Sequence, residues 1–365
     1  MKILAIETSC DETAAAVVEK KDGKIRVLSN VVASSIKLHA KTGGIIPDTA
    51  AREQVKYIIP VITKALIESE SNLTILPAGR QVQQSGNQTF KQASNILKSS
   101  IDAIVVTIGP GLIGSLLIGV ETAKTLSYSL NIPLIPVNHL LAHIFANFID
   151  HRNPIEFPFI GLIVSGGHTD LLMFKSFTDY TWLGGTRDDA AGEALDKIGR
   201  ILGLPYPAGP EIEKRAEKIT SSKFKFSKAL KHSDDFDFSF SGLKTEAARE
   251  IKKLHDEAKL DSATIDEICF AIQESVVDVL VTKTTKAAKK YNAKAIVLGG
   301  GVSANQKLIN EFKSSILKNK LLINLFSPEK KFTTDNAAMI GAYALLNPEI
   351  QPWQKIKANP NLYFS

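Results

Sequence analysis

Two histidines, His139 and His143, stand four residues apart in the stretch VNHLLAHIFANFI. Four residues is slightly more than one helical turn, so on a helix both imidazoles project from the same face. Such a pair is typical of transition-metal sites, including the HExxH motif of metalloproteases. Here the residue after the first histidine is Leu140, where a metalloprotease carries its general-base glutamate. The spacing therefore predicts a metal site that lacks the usual hydrolytic base.

Four glycine-containing segments place small residues where a ligand could approach the backbone. Each follows an apolar run or starts a predicted helix, where backbone N–H groups and the helix dipole favour an anion. The segments are TIGPGLIGSLLIG (107–119), VSGGHTD (164–170), LPYPAGPEIE (204–213) and LGGGVSANQ (298–306). One such loop is weak support, but four in one chain indicate a nucleotide or a similar phosphorylated ligand. Neither a GxxxxGK[ST] motif nor a GxGxxG after the first predicted strand is present, which excludes a Walker A ATPase and a Rossmann dehydrogenase.

Acidic residues are dense in LGGTRDDAAGEALDK, where Asp189, Glu193 and Asp196 share one helical face. An exposed acidic helix start accounts for them equally simply, because the helix dipole favours acids there. Asp335, in FTTDNAAM, stands at the predicted start of another helix, where an N-capping role is the default interpretation. Residue type and spacing leave both roles open at each position.

The elements that must position these residues alternate between apolar strands and amphipathic helices. KILAIETSC followed by TAAAVV predicts a strand, a polar turn and a second strand, and PFIGLIVSGGHTDLLMF repeats this pattern in the second half. Helix-like segments lie between and after these strands. The alternation favours sheets covered by helices, and the repetition indicates an internally duplicated α/β protein.

Composition is that of an ordinary globular protein. The 365 residues are 44% hydrophobic and 22% charged, which predicts two domains or lobes with sizeable cores. The two cysteines, Cys10 and Cys269, form no disulfide framework and favour a reducing, cytosolic location. We expect neither a signal peptide nor a transmembrane helix. The net charge of +6 and pI of about 9.0 permit an acidic partner such as RNA without requiring one.

Two segments stand out by composition. Between Lys214 and Lys231 lie seven basic residues against one acid, interleaved with two phenylalanines, which suits either a solvated surface or a nucleic-acid contact. The stretch from Ser71 to about Ser99 is rich in Gln, Ser, Asn and Gly. That composition predicts a mobile surface insertion instead of a core element.

Nine motifs, in order along the chain, carry a resemblance to a known family. They are AIETSCDET (5–13), GPGLIGSLLIG (109–119), HLLAH (139–143), VSGGHT (164–169), DDAAGEALDK (188–197), YPAGP (206–210), FSFSGLKT (238–245), GGGVSAN (299–305) and TDNAAM (334–339). With them the chain resembles the bacterial tRNA N6-adenosine threonylcarbamoyltransferase family, formerly described as O-sialoglycoprotein endopeptidases or glycoproteases. The resemblance spans the chain except the insertion after Ser71. Histidine in SGGHT looks like the bacterial branch, because the archaeal and eukaryotic branch usually has asparagine there.

The resemblance implies an actin-like, Hsp70-like and sugar-kinase-like (ASKHA) α/β fold, with two duplicated lobes and a ligand cleft between them. We expect an N-terminal lobe over residues 1–138, which includes the low-complexity insertion at about 71–99. We expect a C-terminal lobe over residues 139–335 that carries most of the metal and nucleotide site. The C-terminal helix, residues 336–347, is expected to pack back on the N-terminal lobe.

The resemblance also implies a reaction and a metal. The threonylcarbamoyl group would pass from threonylcarbamoyl-AMP to the N6 amine of the adenosine just 3′ of the anticodon, in tRNAs that read codons beginning with A. One divalent metal ion, iron or zinc, would bind to His139, His143 and Asp335. Imidazole and carboxylate ligands admit both metals, so the sequence does not choose between them.

The substrate-binding residues carry over motif by motif. The SGGHT loop would contact the donor through its backbone, Asp196 and Glu213 would accept from ribose hydroxyls, and Gly209 and Asn305 would line the nucleoside pocket. The full set is Ile163, Val164, Ser165, Gly166, Gly167, Asp196, Gly209, Glu213 and Asn305. An adenine amine is a poor nucleophile that needs positioning and a base, and Asp11 and Glu12 are our candidates for that catalytic role.

The family works with partners, and the same is expected here. Besides tRNA and threonylcarbamoyl-AMP, these are an inactive paralogous dimerisation partner and a small P-loop ATPase. We expect the paralogue to bind the helical part of the N-terminal lobe, and we expect a cytoplasmic location without a membrane partner.

Three departures from the family pattern and three alternative functions remain. Ala208 stands where glycine is common, Gln54 replaces a usual histidine, and about 20 residues near Pro77 to Gln92 are an insertion that we expect to be disordered and dispensable.

A metalloprotease is supported only by the histidine spacing. An ATPase or sugar kinase is suggested by fold alone. A non-catalytic scaffold is disfavoured by the intact set of metal ligands.

Overall fold

The computed structural model describes residues 1–70, 87–150 and 154–364. The chain forms two compact units. Unit 1 contains Met1–Pro154 and Glu329–Ser365, and unit 2 contains Ile155–Pro328. Each unit has its own five-stranded sheet, which confirms the expected two-lobe α/β organisation.

Strands and helices alternate along most of the chain. The strands are β1 Lys2–Glu7, β2 Glu12–Lys21, β3 Lys24–Ser34, β4 Ala103–Gly109, β5 Leu134–Asn138, β6 Phe159–Val164, β7 Thr169–Phe174, β8 Tyr180–Gly185, β9 Ala295–Gly299 and β10 Asn324–Phe326. The helices are α1 Ile36–Ala40, α2 Pro47–Glu70, α3 Asn87–Ser100, α4 Ile113–Leu130, α5 His139–Phe145, α6 Ala191–Ile201, α7 Gly209–Ala216, α8 Ser241–Asp256, α9 Ser262–Lys290, α10 Gln306–Lys318 and α11 Ala337–Leu346. None of these described helices is both long enough and apolar enough to cross a membrane.

The sheet of unit 1 has the strand order β3-β2-β1-β4-β5. Strands β1, β2 and β3 pair antiparallel, whereas β1, β4 and β5 run parallel. Both faces of β1 are buried: Ile3 and Ala5 join the core that includes α11, and Leu4 and Ile6 join the core that includes α2, α3 and α4. Because side chains alternate along a strand, a continuous apolar run such as ILAI is what a strand covered on both faces requires.

Unit 2 repeats this topology with β8-β7-β6-β9-β10. Strands β6, β7 and β8 pair antiparallel, and β6, β9 and β10 run parallel. The order and directions match those of unit 1 strand for strand. The strand-turn-strand pattern that occurs twice in the sequence therefore corresponds to the first two strands of each sheet.

The border of the units differs from the one expected at residues 138 and 335. Residues 139–154 and 329–335 belong to unit 1, so helix α5, which carries His139 and His143, lies in the N-terminal unit and not in the C-terminal one. Its residue Ala142 is buried in the same core as Ala337 and Ala338 of α11, which packs on β1 and β2. Burial against α11 gives α5 its apolar contacts, and the sequence motif HLLAH does not reveal that partner.

The polar stretch expected from Ser71 to Ser99 is partly a core element. Residues 71–86 lie outside the described residues, but α3 covers residues 87–100. Its side chains Ala93, Ile96 and Leu97 are buried in a core that α2 also lines. The prediction of a disordered insertion was therefore wrong for residues 87–92, and the prediction that no core element lies in this stretch was wrong for residues 93–99. Composition averaged over the whole stretch hid three apolar residues with helical spacing.

Candidate functional site

The two histidines are positioned by a short helix whose start is fixed by a side chain. Strand β5 ends at Asn138, and the Oδ1 atom of this residue accepts hydrogen bonds from Leu140 N at 2.8 Å and Leu141 N at 3.3 Å. Asparagine is a favourable N-cap because it satisfies amides that have no partner in the first helical turn. Helix α5 then places the rings of His139 and His143 side by side, with centroids 4.7 Å apart.

Asp335 approaches this pair because a neighbour takes the capping role. Asn336, and not Asp335, is the N-cap of α11, and its Oδ1 accepts from Met339 N at 3.0 Å. The default interpretation of Asp335 as a capping residue was therefore wrong. Its Oδ1 lies 3.5 Å from His139 Nε2 and 3.4 Å from His143 Nε2.

These three side chains have the geometry of a metal centre. One ligand atom from each lies within 4.8 Å of the others. A tetrahedral ion with bonds of about 2.0–2.1 Å separates its ligand atoms by about 3.3 Å, close to the observed distances. Two imidazoles and one carboxylate suit zinc or non-haem iron, and three protein ligands leave positions open for a substrate. The residues present therefore fit a divalent ion.

Behind His139 lies a second carboxylate, which the sequence analysis did not single out. Glu7 is fully buried at the end of β1 and accepts hydrogen bonds from Ser9 N and Thr107 Oγ1. Its Oε2 lies 3.0 Å from His139 Nδ1. Burial alone would lower the pKa of His139, but Glu7 and Asp335 outweigh it and raise that pKa to about 9. Burial raises the pKa of Glu7, yet the nearby imidazole leaves it below its usual value.

The candidate catalytic acids lie at the start of β2, in unit 1. Asp11 is buried, and Glu12 accepts a hydrogen bond from Ser34 Oγ at 2.8 Å. Burial and the adjacent Asp11 carboxylate raise the pKa of Glu12 well above its usual value. Two adjacent carboxyl groups, one of them with a raised pKa, have the chemistry of a general base or acid.

Gln54 holds the turn that carries these acids. Its Nε2 donates to the backbone carbonyls of Cys10 at 2.9 Å and Glu12 at 3.0 Å, and approaches that of Thr8 at 3.4 Å. The residue that replaces the usual histidine therefore acts as a backbone clamp on the 8–12 turn. Its amide provides two N–H donors, which suits a position faced by several carbonyls.

In unit 2, glycine loops meet at the carboxyl ends of two parallel strands. Ile163 of β6 pairs with Gly299 of β9, so the loops that follow Val164 and Gly299 leave the same edge of the sheet. Ligands of open α/β sheets bind at this edge. Ser165 shapes its loop by accepting from His168 N at 3.1 Å, and Gly166 and Gly167 are exposed.

Two further glycines allow their backbones to pack against this loop. A Cβ atom at Gly300, whose φ is +90°, would lie 2.4 Å from the Val164 carbonyl oxygen. A Cβ atom at Gly192 of α6 would lie 2.6 Å from the Ser165 carbonyl oxygen. Gly192 N donates to that oxygen at 3.1 Å, so the start of α6 is fixed to the loop.

Asp196 and the YPAGP turn form one unit. The Oδ1 atom of Asp196 accepts from Ala208 N at 2.6 Å, and burial raises the pKa of this carboxyl. Ala208, the departure from the usual glycine, packs on Gly199, where an added Cβ would lie 2.1 Å from the Ala208 Cβ. The extra methyl group of Ala208 is thus accommodated by a glycine on α6.

The other acids of the DDAAGEALDK segment have structural partners. Asp189 pairs with Lys197 at 2.7 Å and Lys244 at 2.6 Å. Glu193 pairs with Lys197 at 2.8 Å. The simpler interpretation of these two acids, as parts of a charged helix surface, is consistent with these contacts.

Gly209 and Asn305 line one pocket of unit 2, together with a residue that the sequence analysis missed. Apolar side chains of α7 and α9, including Ile212 and Val276, form its walls. Gln273 faces it as well, and its Oε1 accepts from Asn305 Nδ2 at 2.9 Å. The pocket thus has apolar walls and two amide side chains that are hydrogen-bonded to each other. No sequence motif marks Gln273, since it lies in the middle of the long helix α9.

Glu213 and Asn305 also organise the start of α10. Asn305 is its N-cap and accepts from Leu308 N at 2.9 Å, while Glu213 Oε1 accepts from Gln306 N at 2.7 Å. Both side chains therefore have a local structural role beside any ligand contact. An acid at a helix N-terminus is favoured by the dipole, which accounts for the position of Glu213.

The basic segment 214–231 makes several ion pairs within unit 2. Acids of α9 pair with five of its seven basic residues. The pairs are Arg215–Asp266 at 2.8 Å, Lys218–Asp266 at 3.2 Å, Lys223–Glu267 at 3.7 Å, Lys228–Asp278 at 2.5 Å and Lys231–Asp278 at 2.6 Å. A surface whose charges are paired in this way attracts phosphates weakly, so the simpler interpretation of a structural charged segment is favoured.

Comparison with known proteins places the chain among tRNA-modifying transferases. A protein-family model described as tRNA N6-adenosine threonylcarbamoyltransferase matches residues 26–77 and 81–342. Proteins of that name are 45% identical over 93% of this chain and 88% of the protein in Persephonella marina, and 42% identical over 100% and 99% in Kosmotoga olearia. Residues 77–92 were expected to lie outside the family pattern. The match to the family model resumes at residue 81, so most of these residues lie within the family pattern.

One solved structure shows a similar fold at low sequence identity. Full-length HypF in its phosphate- and nucleotide-bound form gives a TM-score of 0.51 at 13% identity, over 72% of this chain and 41% of that one. At this identity the likeness concerns the fold alone. It agrees with the two-lobe α/β architecture described above.

Proposed function

The chain belongs to the tRNA N6-adenosine threonylcarbamoyltransferase family, and on this premise we propose that it forms threonylcarbamoyladenosine in tRNA. The donor is threonylcarbamoyl-AMP, and the acceptor is the N6 amine of the adenosine just 3′ of the anticodon in tRNAs that read codons beginning with A. The observation that carries the proposal is the intact His139, His143 and Asp335 cluster in a chain matched over almost its whole length. Because its substrate is tRNA, we place the reaction in the cytoplasm.

The geometry disfavours a metalloprotease. Leu140 follows His139, and Glu7, the carboxylate that contacts this histidine besides Asp335, faces its Nδ1 atom while Asp335 faces Nε2. Glu7 is also occupied by the Ser9 amide and the Thr107 hydroxyl. A carboxylate held in this way on the far side of a ligand is not placed to activate a water at the metal.

We propose that His139, His143 and Asp335 hold one divalent ion, iron or zinc. When bound, such an ion supplies Lewis acidity toward a carbonyl oxygen of the threonylcarbamoyl group. The protein's own part is to present two Nε2 atoms from α5 and one carboxylate oxygen from the residue that precedes the N-cap of α11. Open positions at this centre leave room for a substrate oxygen.

For the donor nucleotide, the proposed contacts are in unit 2. The 163–167 loop provides backbone N–H groups for the phosphate, and the pocket beside Gly209 and Asn305 takes the adenine. Asp196 and Glu213 remain our candidates for the ribose hydroxyls. Each already accepts a backbone N–H, and a carboxylate has further lone pairs for a second donor.

The proposed transfer needs no covalent enzyme intermediate. The donor is a mixed anhydride, so the adenosine amine forms a bond to the carbamoyl carbon as the bond to the AMP oxygen breaks. The amine loses one proton, for which Asp11 and Glu12 are the candidate acceptors. Positioning matters most, because the lone pair of an adenine amine is delocalised into the ring.

Replacing Asp11 with alanine tests the catalytic role. We expect the transfer rate to fall by about 10²-fold while the metal content stays at the wild-type level, since general bases contribute about 10²–10⁴-fold. Single-turnover product formation and metal analysis of the same preparation measure both quantities. Asp48→Ala, at an exposed position on α2, serves as the control. Full activity of Asp11→Ala would remove the residue from the mechanism.

An exposed apolar face on unit 1 is our candidate for binding the inactive paralogue. Val55 and Ile59 of α2 and Ile113 and Leu117 of α4 are exposed, and Val55 reaches 64% exposure. The two helices are in contact, since a Cβ atom at Gly114 would lie 3.2 Å from the Ala51 Cβ. Apolar groups exposed together on neighbouring helices are typical of a protein interface. The small P-loop ATPase is expected in the same assembly.

A charge on this face should prevent that assembly. Val55→Asp combined with Ile113→Asp is expected to weaken binding of the paralogue at least 10-fold, because interface apolar residues near the centre of a patch dominate affinity. Isothermal titration of the purified partner measures the change. Leu322→Asp, at a side chain of unit 2 that is 99% exposed, is the matched control. Unchanged affinity in the double variant would place the interface elsewhere.

The function itself is tested by reconstitution. The purified chain is mixed with the two partners, threonylcarbamoyl-AMP and unmodified tRNA, and digested nucleosides are examined by mass spectrometry. Threonylcarbamoyladenosine and stoichiometric AMP are the expected products. Absence of product from folded, metal-loaded protein, while a control transferase is active in the same mixture, would contradict the proposal and favour a scaffold or ATPase.

A further inference from the structure

Glu7 is an unusual carboxylate because it is fully buried and its basic partner is a histidine instead of a lysine or arginine. In the described parts of the chain, its one ion-pair contact is with His139, and no lysine or arginine pairs with it. Its other hydrogen-bond donors are neutral, namely the Ser9 amide and the Thr107 hydroxyl. A buried carboxylate is costly unless it is paired, so its position calls for a compensating positive charge nearby.

The two metal-ligand histidines differ sharply at their Nδ1 atoms. His139 Nδ1 lies 3.0 Å from Glu7 Oε2 and 3.2 Å from Ser9 Oγ. His143 is also buried, but among the described residues its Nδ1 has no hydrogen-bond partner. Only one histidine of the pair is therefore held from behind by an acid.

This contact determines which nitrogen of His139 is available as a ligand. An acceptor at Nδ1 favours a proton on that atom, so Nε2 is the nitrogen that can bind a metal ion. The Nε2 atom is the one that faces Asp335. Metal-bound histidines commonly donate their second N–H to a carboxylate, which fixes the ring and makes it a stronger ligand.

We propose that Glu7 is a positioning residue that holds His139 with its proton on Nδ1 and thereby sets the metal affinity of the centre, whereas His143 binds without such support. The proposal rests on the metal site of the proposed function. Thr107 on β4 and Ser9 in the turn after β1 fix Glu7 in turn, so the sheet itself determines the orientation of the ring. Glu7 never contacts the substrate in this scheme and acts only through His139.

The isosteric change Glu7→Gln tests the proposal. Zinc affinity is measured by competition with a chromophoric chelator, and unfolding of the metal-free protein by circular dichroism shows whether the variant is folded. We expect zinc binding to weaken by about 10- to 100-fold, as for other carboxylates behind metal-bound histidines. Glu7→Asp, which keeps the charge but shortens the side chain, is expected to lie between Glu7→Gln and wild type. An unchanged zinc affinity in folded Glu7→Gln would overturn the proposal.

A double-mutant cycle separates this role from a general effect of charge. In the His139→Ala background, Glu7→Gln should produce no further loss of cobalt affinity, measured by visible absorption. In the His143→Ala background, Glu7→Gln should retain its 10- to 100-fold effect. Equal effects in both backgrounds would show that Glu7 acts as a distant charge, which contradicts the proposal.

The His139→Ala and His143→Ala variants can bind metal too weakly for the double-mutant cycle to be measured. A third measurement therefore tests the proposal without these variants. In zinc-loaded protein labelled with ¹⁵N-histidine, the Nδ1 proton of His139 should be visible and slow to exchange in wild type and fast to exchange in Glu7→Gln. Equal exchange in the two proteins would overturn the proposal. If the wild-type protein binds neither zinc nor iron nor cobalt, the metal site of the proposed function is wrong. If the wild-type protein binds metal and Glu7→Gln leaves the affinity unchanged, only the proposed role of Glu7 is wrong.

Discussion

Asp335→Asn is expected to remain folded, to lose its bound metal and to lose threonylcarbamoyl transfer. In the proposed metal site Asp335 contributes one of three ligand atoms, and its Oδ1 lies 3.4–3.5 Å from both histidine Nε2 atoms. Residues that only support a ligand are worth about 10- to 100-fold in affinity or activity, so loss of a ligand should exceed about 100-fold. The capping of α11 is unaffected because Asn336 supplies it.

Metal content after dialysis and single-turnover product formation are the two readouts for Asp335→Asn. Asp22→Asn is a matched control, since this exposed turn residue in the same unit has a φ of 51°, a conformation that asparagine tolerates. The control should retain both metal and activity. Wild-type product formation by Asp335→Asn would show that the cluster does not serve the reaction, even if it binds metal.

Gly192→Ala is expected to weaken donor binding, although alanine has a higher helix propensity than glycine and the position lies in helix α6. Alanine is more favourable than glycine in a helix by about 1 kcal/mol. At this position, however, the new Cβ would lie 2.6 Å from the Ser165 carbonyl oxygen and 2.9 Å from Gly166 Cα. Both atoms are backbone and cannot move without shifting the 163–167 loop. Overpacking of this kind costs about 1–3 kcal/mol, so the KM for the donor should rise about 10-fold or more.

A second helical glycine provides the control for this change. At Gly242 of α8 the nearest atom to an added Cβ is Ser227 Oγ at 3.9 Å, an ordinary contact. Gly242→Ala should therefore be neutral or stabilising, with an unchanged donor KM. If Gly192→Ala shows the same behaviour as Gly242→Ala, the 163–167 loop is not a rigid part of the donor site.

Local patterns in the sequence determined the parts of the site that lie close together in the chain. The HxxxH spacing places two imidazoles on one helical face because the helix has 3.6 residues per turn. The two strand-turn-strand segments predicted the duplicated sheets for a similar reason, since strand periodicity and turn residues are local signals. The nine motifs, in their order along the chain, indicated the family, and the family in turn implied that the 163–167 loop binds the donor.

The tertiary structure decided which of two roles a residue with ambiguous chemistry takes. Asp335 and Asn336 are both good capping residues, and only the position of α5 shows that Asn336 caps while Asp335 faces the histidines. The basic segment suits a nucleic-acid contact by composition, but the acids of α9 that pair with it lie about 50 residues away in the chain.

Glu7 shows the limit of sequence reasoning most clearly. Its role depends on Thr107, 100 residues away, and on His139, 132 residues away. The border between the units also depends on residues far apart in the chain, because Ala142 of α5 is buried against α11 and α5 therefore belongs to unit 1. A sequence pattern specifies the periodicity of each element but not which distant element will cover it. Burial and partners therefore determine what each carboxylate and imidazole does, and both are properties of the folded chain alone.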